Sequence, residues 1–292
     1  MNYVGNVIRP PSEAYSLILQ VTVGCSHNMC TFCGAYKNVK FHIKDKAVID
    51  RDIEEASSRG MKWQKVFIAD GDALILPTSQ LLDIIGRLRK KNPSIERIGV
   101  YGNTKAIIKK TPAELKELKD AGLGIVYQGV ESGSEIVLRK IRKGALPDRI
   151  EESAKKVMEA GILLSQTYLL GIGGVELSHD HAEASGKLIS RISPDYASAL
   201  TVMILPNTKL HGDIISGEFR LPDKIALVEE LKIMIENINT VKNIFFTSNH
   251  ASNYVPIRAN FPADKKNVLK LLNDIVSKRN ESILKPEYMR GL

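Results

Sequence analysis

Residues 16–33, with the sequence SLILQVTVGCSHNMCTFC, join an apolar run to a loop that holds all three cysteines of the chain. The apolar part, residues 16–23, is rich in aliphatic and β-branched side chains and indicates a buried strand. The loop spaces Cys25, Cys30 and Cys33 as C-x4-C-x2-C. Ligands of parallel α/β proteins bind at the carboxyl ends of the strands, so the loop occupies a position expected of a functional site.

Strands like the first one recur along the chain and alternate with helices. Apolar, β-branched runs predict five more buried strands, at residues 65–70, 97–102, 124–131, 162–171 and 196–205. One helix between them has clear ends, because Thr111, Pro112 and Glu114 form an N-terminal capping signal and Gly122 is a stop signal. Capping residues and glycines predict two further helices, over residues 45–59 and 148–160.

Six strand–helix units in succession predict a parallel sheet with right-handed crossovers, in the α/β class. Six units are too few for a closed eight-unit barrel, so we expect a partial (β/α)6 TIM-like barrel. A doubly wound open sheet has the same sequence pattern and remains an alternative. We expect residues 1–205 to form a core domain that carries the cysteine loop. We expect residues 206–292 to form a small C-terminal α/β extension that covers the barrel, with helices predicted at residues 224–239 and 264–279 and a strand at residues 243–248.

The composition is that of a globular protein, with 43% hydrophobic and 25% charged residues. No run approaches eighteen apolar residues, so no membrane span is expected. The N-terminal stretch lacks the features of a secretory signal, which predicts a cytoplasmic location. The formal net charge of +8 is scattered through helical segments rather than gathered in a stripe. A nucleic-acid partner is therefore possible but not favoured.

The three cysteines are better suited to binding a metal than to forming disulfides, because their number is odd and they lie within nine residues of one another. Short loops let three thiolates converge on one soft centre, either zinc or an iron–sulfur cluster. Three ligands on a four-iron cluster would leave one iron open to a substrate or cofactor. Three alternatives stay open: a Cys3His zinc site that includes His27, a redox pair of Cys30 and Cys33, and buried cysteines without a ligand.

The cysteine loop, with Phe32 directly before its last cysteine, resembles the cluster motif of the radical S-adenosylmethionine (SAM) superfamily. The commonest spacing in that superfamily is C-x3-C-x2-C, and this chain has one residue more in the first gap. Residues 69–73, ADGDA, stand where the family has a Gly-Gly-Glu-like segment that binds the methionine amino group. Residues 129–134, GVESGS, resemble the fourth-strand signature of the elongator-type and methylthiotransferase-type branch. Residues 171–176, GIGGVE, match the glycine-rich exit of the fifth strand.

The resemblance implies a [4Fe–4S] cluster on Cys25, Cys30 and Cys33, whose open iron binds SAM. Reductive cleavage of SAM would then yield a 5′-deoxyadenosyl radical that abstracts hydrogen from an unidentified organic substrate, with flavodoxin or ferredoxin as external electron donor. The groups at strand ends that are available to bind the polar parts of SAM are Asp70, Gly71, Asp72, Asn103, Glu131, Ser132 and Gln166. Apolar or aromatic walls for the adenine ring are available from Phe32, Leu170 and Ile172.

These strand-end groups also have simpler explanations. Asp70 and Asp72 are suited to cap the next helix, and Glu131 is suited to start one. His179 and His181, beyond the glycine-rich exit, either act as acid–base groups or lie exposed at a helix start. The placement of all the motifs at the carboxyl ends of successive strands nevertheless favours a single cofactor site.

The substrate is less well indicated than the cofactor. The polar loop over residues 248–254, SNHASNY, either covers the barrel mouth and contacts the substrate or is a surface turn. His250 and Tyr254 of this loop are the candidate catalytic residues. The alternatives for the function are an RNA-modifying radical SAM enzyme and, from a different class, a non-catalytic iron–sulfur or zinc-binding protein.

Overall fold

The computed structural model describes residues 1–58 and 62–291, in which strands and helices alternate. The strands are β1 (Leu17–Gln20), β2 (Thr22–Val23), β3 (His42–Ile43), β4 (Lys65–Ala69), β5 (Arg97–Tyr101), β6 (Leu123–Glu131), β7 (Leu163–Leu170), β8 (Tyr196–Thr201), β9 (Ile244–Thr247) and β10 (Arg258–Phe261). The helices are α1 (Lys46–Ser58), α2 (Thr78–Lys91), α3 (Thr104–Lys109), α4 (Pro112–Ala121), α5 (Glu135–Lys140), α6 (Pro147–Glu159), α7 (Gly174–Ile192), α8 (Lys209–Ile215), α9 (Lys224–Glu236) and α10 (Lys265–Ser277). The predicted α/β class is confirmed.

Eight strands form one mostly parallel sheet in the order β1, β4, β5, β6, β7, β8, β9, β10. Apart from β2 and β3, which pair only with each other, this is the order of the chain. A doubly wound sheet reverses its strand order at a switch point, whereas a TIM-like sheet keeps adding strands in one direction. The observed order therefore favours the barrel-like alternative.

Contact clustering divides the chain into two compact units. The first comprises Met1–Asn28, Ala35–Gln128 and Glu152–Leu164, and the second comprises Met29–Gly34, Gly129–Glu151 and Ser165–Leu292. The domain boundary expected at residue 205 stays a prediction.

In the first unit, β4 lies between β1 and β5 and is parallel to both, with Val66 opposite Leu17 and Ile98. The strand is apolar on both faces because a parallel sheet is covered on both sides. Phe67 and Ile68 are fully buried. Helices α1, α2 and α4 pack in sequence beside these strands, which leaves the carboxyl ends of β4 and β5 to the loops that carry the candidate site.

In the second unit, β8 pairs in parallel with β7 and with β9, and β10 closes the edge antiparallel to β9. The long helix α7 packs against α9, which in turn packs against α10. Residues 243–248 were predicted as a strand of the extension, and β9 confirms it. The sequence did not indicate β10, whose residues Arg-Ala-Asn-Phe alternate between exposed and buried positions.

The predicted ends of α4 are confirmed. The Thr111 hydroxyl accepts a hydrogen bond from the Glu114 amide, the Glu114 carboxylate accepts one from the Thr111 amide, and Gly122 follows the last turn. One other expectation differs in detail. Helix α6 starts at Pro147, so Asp148 lies in its first turn rather than before it. The predicted end of the first helix, at residue 59, lies outside the described residues.

Candidate functional site

The cysteine loop begins in the first unit, directly after β2. The strand predicted over residues 16–23 is divided into β1 and β2 at Val21, and β2 pairs with β3 instead of continuing beside β4. The division turns the chain, and Gly24 and Cys25 follow immediately. The Cys25 side chain is partly exposed.

Asp70, the first residue after β4, is buried and forms hydrogen bonds to this loop. Its Oδ2 accepts a hydrogen bond from the Gly24 amide at 3.1 Å, and its Oδ1 accepts one from the Tyr36 hydroxyl. Gln20 at the end of β1 donates a further bond at 3.3 Å. Burial raises the pKa of Asp70, while the donated hydrogen bonds act in the opposite direction. Asp70 therefore holds the backbone that precedes Cys25 and is not a helix cap.

Gly71 lies where no side chain fits. A Cβ placed on it would stand 2.6 Å from Tyr36 Cε2, 3.0 Å from Cys25 Cβ and 3.1 Å from the Gly24 carbonyl oxygen. Cβ contacts under 3.0 Å are not tolerated in close-packed proteins without displacement of a neighbour. The backbone after β4 thus touches the first cysteine of the motif.

Asp72 is fully buried and holds the next residue of the loop. Its Oδ2 accepts hydrogen bonds from the Ser26 hydroxyl and from Asn103 Nδ2, the latter at 2.7 Å, and its Oδ1 accepts the Asn103 amide at 3.1 Å. Burial raises the pKa of Asp72 to about 6. Asn103 also caps α3, because its Oδ1 accepts the Ala106 amide at 2.8 Å. Three strand exits of the first unit are therefore joined by one polar network.

The remaining two cysteines lie in the second unit, in the segment Met29–Gly34. The Thr31 amide donates to the Ile141 carbonyl at 3.0 Å, and the Thr31 carbonyl accepts the Leu210 amide at 3.0 Å. Asn207 Nδ2 donates to the Gly34 carbonyl at 2.9 Å. The residues around Cys30 and Cys33 are thus held by the ends of α5 and α8, and Phe32 between them is half-buried.

Glu131, the last residue of β6, has a left-handed backbone with φ +69°. This conformation is uncommon for a residue other than glycine, costs on the order of 1–3 kcal/mol, and is found preferentially at functional sites. The Glu131 carboxylate forms an ion pair with Lys143 at 2.8 Å, in which both side chains are largely buried. Glu131 ends a strand, and α5 begins only at Glu135, so the helix-start explanation does not apply to it.

The residues after Glu131 are seated on α7. Ser132 is fully buried, and its Oγ lies 2.8 Å from His181 Nδ1 and accepts the Ser134 amide at 3.0 Å. The Gly133 amide donates to Ser185 Oγ at 2.8 Å. A Cβ on Gly133 would stand 2.2 Å from the Ala184 carbonyl oxygen, so only glycine fits there. His181 is completely buried, which excludes the expectation of an exposed residue at the helix start.

The residues that follow β7 are likewise hydrogen-bonded to a helix, in this case α9. Glu230, fully buried, accepts the Gly171 amide at 2.6 Å and the Ser178 hydroxyl, and its Oε1 lies 3.5 Å from His181 Nε2. Burial raises the pKa of Glu230 to about 7 and lowers that of His181 to about 4. Glu230 has no signal in the sequence, because a glutamate on an amphipathic helix resembles a solvent-exposed one. The three residues predicted near this exit are buried, with Gln166 inside β7, Leu170 at its end and Ile172 beyond it.

The loop over residues 248–254 is bound to β8 by its own side chains. Asn253 accepts the Thr201 hydroxyl at 2.8 Å and donates to the Ala199 and Ser248 carbonyls. His250, half-buried, is within 2.9 Å of Ser252 Oγ, and burial lowers its pKa.

Tyr254 is buried under the C-terminal residues. Its hydroxyl donates to Glu287 at 2.6 Å, the Arg290 guanidinium stacks 4.2 Å from its ring, and burial raises its pKa to about 12. Both candidate catalytic residues thus lie in an ordered, hydrogen-bonded loop. Tyr254 Oη is already engaged by two charged groups, whereas His250 has only local partners among the contacts described.

The donor set suits a soft metal centre. The three cysteines are partly exposed and none is in a disulfide in the part of the chain that the structure describes. The nearest carboxylates of the first unit, Asp70 and Asp72, are occupied by hydrogen-bond donors. Neither unit, within the described residues, contains by itself a group of three or more His, Cys, Asp or Glu side chains placed for a metal ion. The cysteine thiolates are of the ligand type that selects zinc or iron–sulfur clusters.

The chain belongs to the radical SAM superfamily, whose sequence profile matches residues 19–183. It is accordingly an enzyme of a superfamily that uses a [4Fe–4S] cluster and SAM. An uncharacterized methyltransferase from Pyrococcus horikoshii is 24% identical over 200 residues. The match covers 66% of this chain, which spans only 40% of the length of that relative.

Solved structures of radical SAM enzymes share the fold. Methylornithine synthase superposes with a TM-score of 0.57 at 14% identity, covering 88% of this chain and 68% of that one. The radical SAM methyltransferase TsrM from Kitasatospora setae, solved with cobalamin and a [4Fe–4S] cluster, superposes with a TM-score of 0.57 at 18% identity, covering 74% of this chain and 43% of that one. These likenesses confirm the expected TIM-like fold class. Over the described residues, no helix combines the length and apolarity needed to cross a membrane.

Proposed function

We propose that this enzyme cleaves SAM reductively at a [4Fe–4S] cluster bound by Cys25, Cys30 and Cys33, and that the resulting radical abstracts hydrogen from an organic substrate. The observation that carries the proposal is the engagement of both acidic residues after β4 with the cysteine loop. Asp70 accepts the Gly24 amide and Asp72 accepts the Ser26 hydroxyl, so the residues on both sides of Cys25 are held in place. Such preorganisation suits a ligand that must meet a cluster in one orientation.

The protein's own part is to position SAM and the substrate and to exclude water. The one-electron chemistry is supplied by the cluster and SAM when they are bound. Gly71 presents backbone close to Cys25, where a polar main chain is available to the amino-acid part of SAM. Asn103, Glu131, Ser132 and Gln166 remain candidates for polar contacts. Ser132 and Gln166 are fully buried, so we assign them to the support of the site rather than to its surface. Phe32, Leu170 and Ile172 are the apolar candidates for contact with adenine.

Release of 5′-deoxyadenosine tests the proposal. Protein reconstituted anaerobically with iron and sulfide, then supplied with dithionite and SAM, is expected to form 5′-deoxyadenosine. Cys30→Ala is expected to lose both the four-iron absorbance and the product, because a missing thiolate leaves a second iron without a protein ligand. Metal analysis of the protein as purified decides against the zinc alternative if iron and sulfide are present in place of zinc. An intact cluster in the wild type that yields no 5′-deoxyadenosine would contradict the proposal.

Methyl transfer is a second candidate for the overall reaction, favoured by the name of the Pyrococcus relative. The same assay distinguishes it, because methyl transfer from SAM also releases S-adenosylhomocysteine. An RNA-modifying activity is the other alternative, and stimulation of SAM cleavage by total RNA would support it. His250 is our first candidate for contact with the substrate, because it is only half-buried at the end of β9.

The electron donor and location follow from the chemistry. Reduction of the cluster requires an external one-electron donor, and we propose a flavodoxin or ferredoxin. Thiolate ligands persist in a reducing compartment, which supports a cytoplasmic location.

A further inference from the structure

The turn that follows β6 contains a strained residue with an external support. Glu131 adopts φ +69°, and a β-region or helical backbone would relieve that strain. A strained conformation persists only when the surrounding contacts determine it. The local sequence does not supply these contacts, because the next residues, Ser132 and Gly133, have no strong conformational preference of their own.

Helix α7 supplies them. His181 and Ser185 are four residues apart and therefore lie on the same face of the helix. His181 Nδ1 is 2.8 Å from Ser132 Oγ, and Ser185 Oγ accepts the Gly133 amide at 2.8 Å. Gly133 also lies against the α7 backbone at Ala184, where a Cβ would overlap the carbonyl oxygen. Two consecutive residues after Glu131 are thus fixed by one helix face.

The other side of His181 faces α9. Nε2 faces Glu230 Oε1 at 3.5 Å, and the same carboxylate oxygen accepts the Gly171 amide. Burial keeps the His181 imidazole neutral at physiological pH, so it acts as a hydrogen-bonding group and not as a charge. His181 is therefore hydrogen-bonded on its Ser132 side, while its Nε2 lies near Glu230 without a hydrogen bond to it.

We propose that His181 and Ser185 are positioning residues that hold Glu131 in its left-handed conformation and thereby aim its carboxylate for the bound cofactor. This inference rests on the proposed function, because the cofactor in question is SAM. With the support removed, the backbone at residue 131 relaxes to an unstrained φ and the carboxylate moves away from Lys143. The expected consequence is weaker binding of SAM without loss of the cluster, since neither residue contacts a cysteine in the structure of the second unit.

Matched substitutions at residue 181 test the proposal. In His181→Asn the side-chain amide occupies the position of Nδ1, whereas in His181→Gln it occupies the position of Nε2. We expect His181→Gln to weaken the dissociation constant for SAM about tenfold and His181→Asn by no more than about threefold, because only Asn keeps a partner for Ser132. The measurement is equilibrium dialysis of labelled SAM against the reconstituted, unreduced full chain, with iron content as a check on the cluster.

Ser185→Ala gives a second route if the residue-181 variants do not fold. It removes the acceptor of the Gly133 amide and is expected to weaken SAM binding about fivefold. Equal affinities for His181→Asn and His181→Gln, or an unchanged affinity for Ser185→Ala, would overturn the positioning role. A wild type that binds SAM with the expected variant pattern but releases no 5′-deoxyadenosine would overturn the proposed reaction alone. A wild type that does not bind SAM would overturn both.

Discussion

Gly71 illustrates how one residue determines the geometry of the cysteine loop. Its position after β4 brings the main chain against Tyr36 and Cys25, and every larger residue would need the space that these two side chains occupy. The sequence suggested that the Asp-Gly-Asp segment binds a cofactor. In the structure its two carboxylates bind the protein's own loop, and the glycine allows that loop to approach.

Gly71→Ala is therefore expected to lower both stability and cluster loading. Overpacking of this kind costs about 1–3 kcal/mol, and displacement of Tyr36 would also break its bond to Asp70. Urea unfolding and iron content after reconstitution measure the two effects. Gly86→Ala is the control, because a Cβ on Gly86 meets nothing within 4 Å and lies inside α2. Alanine should stabilise that helix by about 0.5–1 kcal/mol. Equal unfolding free energies and equal iron contents for the two variants would show that a Cβ fits at residue 71.

Helix ends are the features that the sequence predicts best, because a helix cap is formed by residues that are close to one another in the sequence. The Thr111 and Glu114 capping box was recognisable from four residues, and the structure shows both of its hydrogen bonds. Glu114 gains one more partner from another helix, since the Thr78 hydroxyl of α2 donates to it at 2.7 Å. That contact joins α2 to α4 and has no signal in the local sequence.

Thr111→Ala is expected to reduce the free energy of unfolding by about 1 kcal/mol, the usual cost of losing an N-cap hydroxyl. Thr111→Ser keeps the oxygen and should differ from the wild type by only a few tenths of a kcal/mol. Chemical denaturation of the three proteins, at constant slope with denaturant, provides the comparison. A loss in the serine variant as large as that in alanine would assign the effect to the threonine methyl group instead.

Strand boundaries were predicted less well than helix ends. The run over residues 16–23 has one uninterrupted apolar pattern, but the structure breaks it into β1 and β2 because β2 pairs with β3 rather than with β4. Likewise, β10 exists because it pairs antiparallel with β9, with Phe261 opposite Ile244. Pairing partners are distant in sequence, and a short strand acquires its stability from the partner rather than from its own residues.

At the scale of the whole molecule, the buried pair of His181 and Glu230 makes stability depend on pH in two opposing ways. The His181 pKa, lowered from 6.5 to about 4, means that the unfolded chain binds more protons between these values, so the free energy of unfolding falls as the pH falls. The Glu230 pKa is raised from 4.5 to about 7, so the folded chain binds more protons in that window and the free energy of unfolding rises as the pH falls.

Removal of the imidazole should remove the His181 contribution to this pH dependence. Between pH 6.5 and 4.5, His181→Asn is expected to gain stability relative to the wild type by about 2 kcal/mol, at roughly 1.4 kcal/mol per pH unit where the shift acts fully. Urea unfolding of both proteins at the two pH values gives the difference, in which the titration of groups distant from residue 181 cancels. A difference between the proteins that does not change with pH would show that folding does not lower the pKa of His181.

The sequence by itself indicated a thiolate site in the cysteine loop, and it determined the alternation of strands and helices and the ends of the best-capped helices. Each of these depends on residues that are near one another in the chain, such as the nine-residue cysteine motif. The family match over residues 19–183 confirms the superfamily that this motif suggested.

Only the tertiary structure decided what the polar residues at the strand exits do. Asp70 meets Gly24 across 46 residues, and Ser132 meets His181 across 49. Whether a carboxylate or an imidazole is exposed, capped or buried depends on the register of the sheet and on the helix packed above it, and these contacts are not encoded in any local pattern. For that reason His181 and Glu230 resemble ordinary helix residues in the sequence, whereas in the fold both are buried, with His181 hydrogen-bonded to Ser132 and Glu230 to the Gly171 amide.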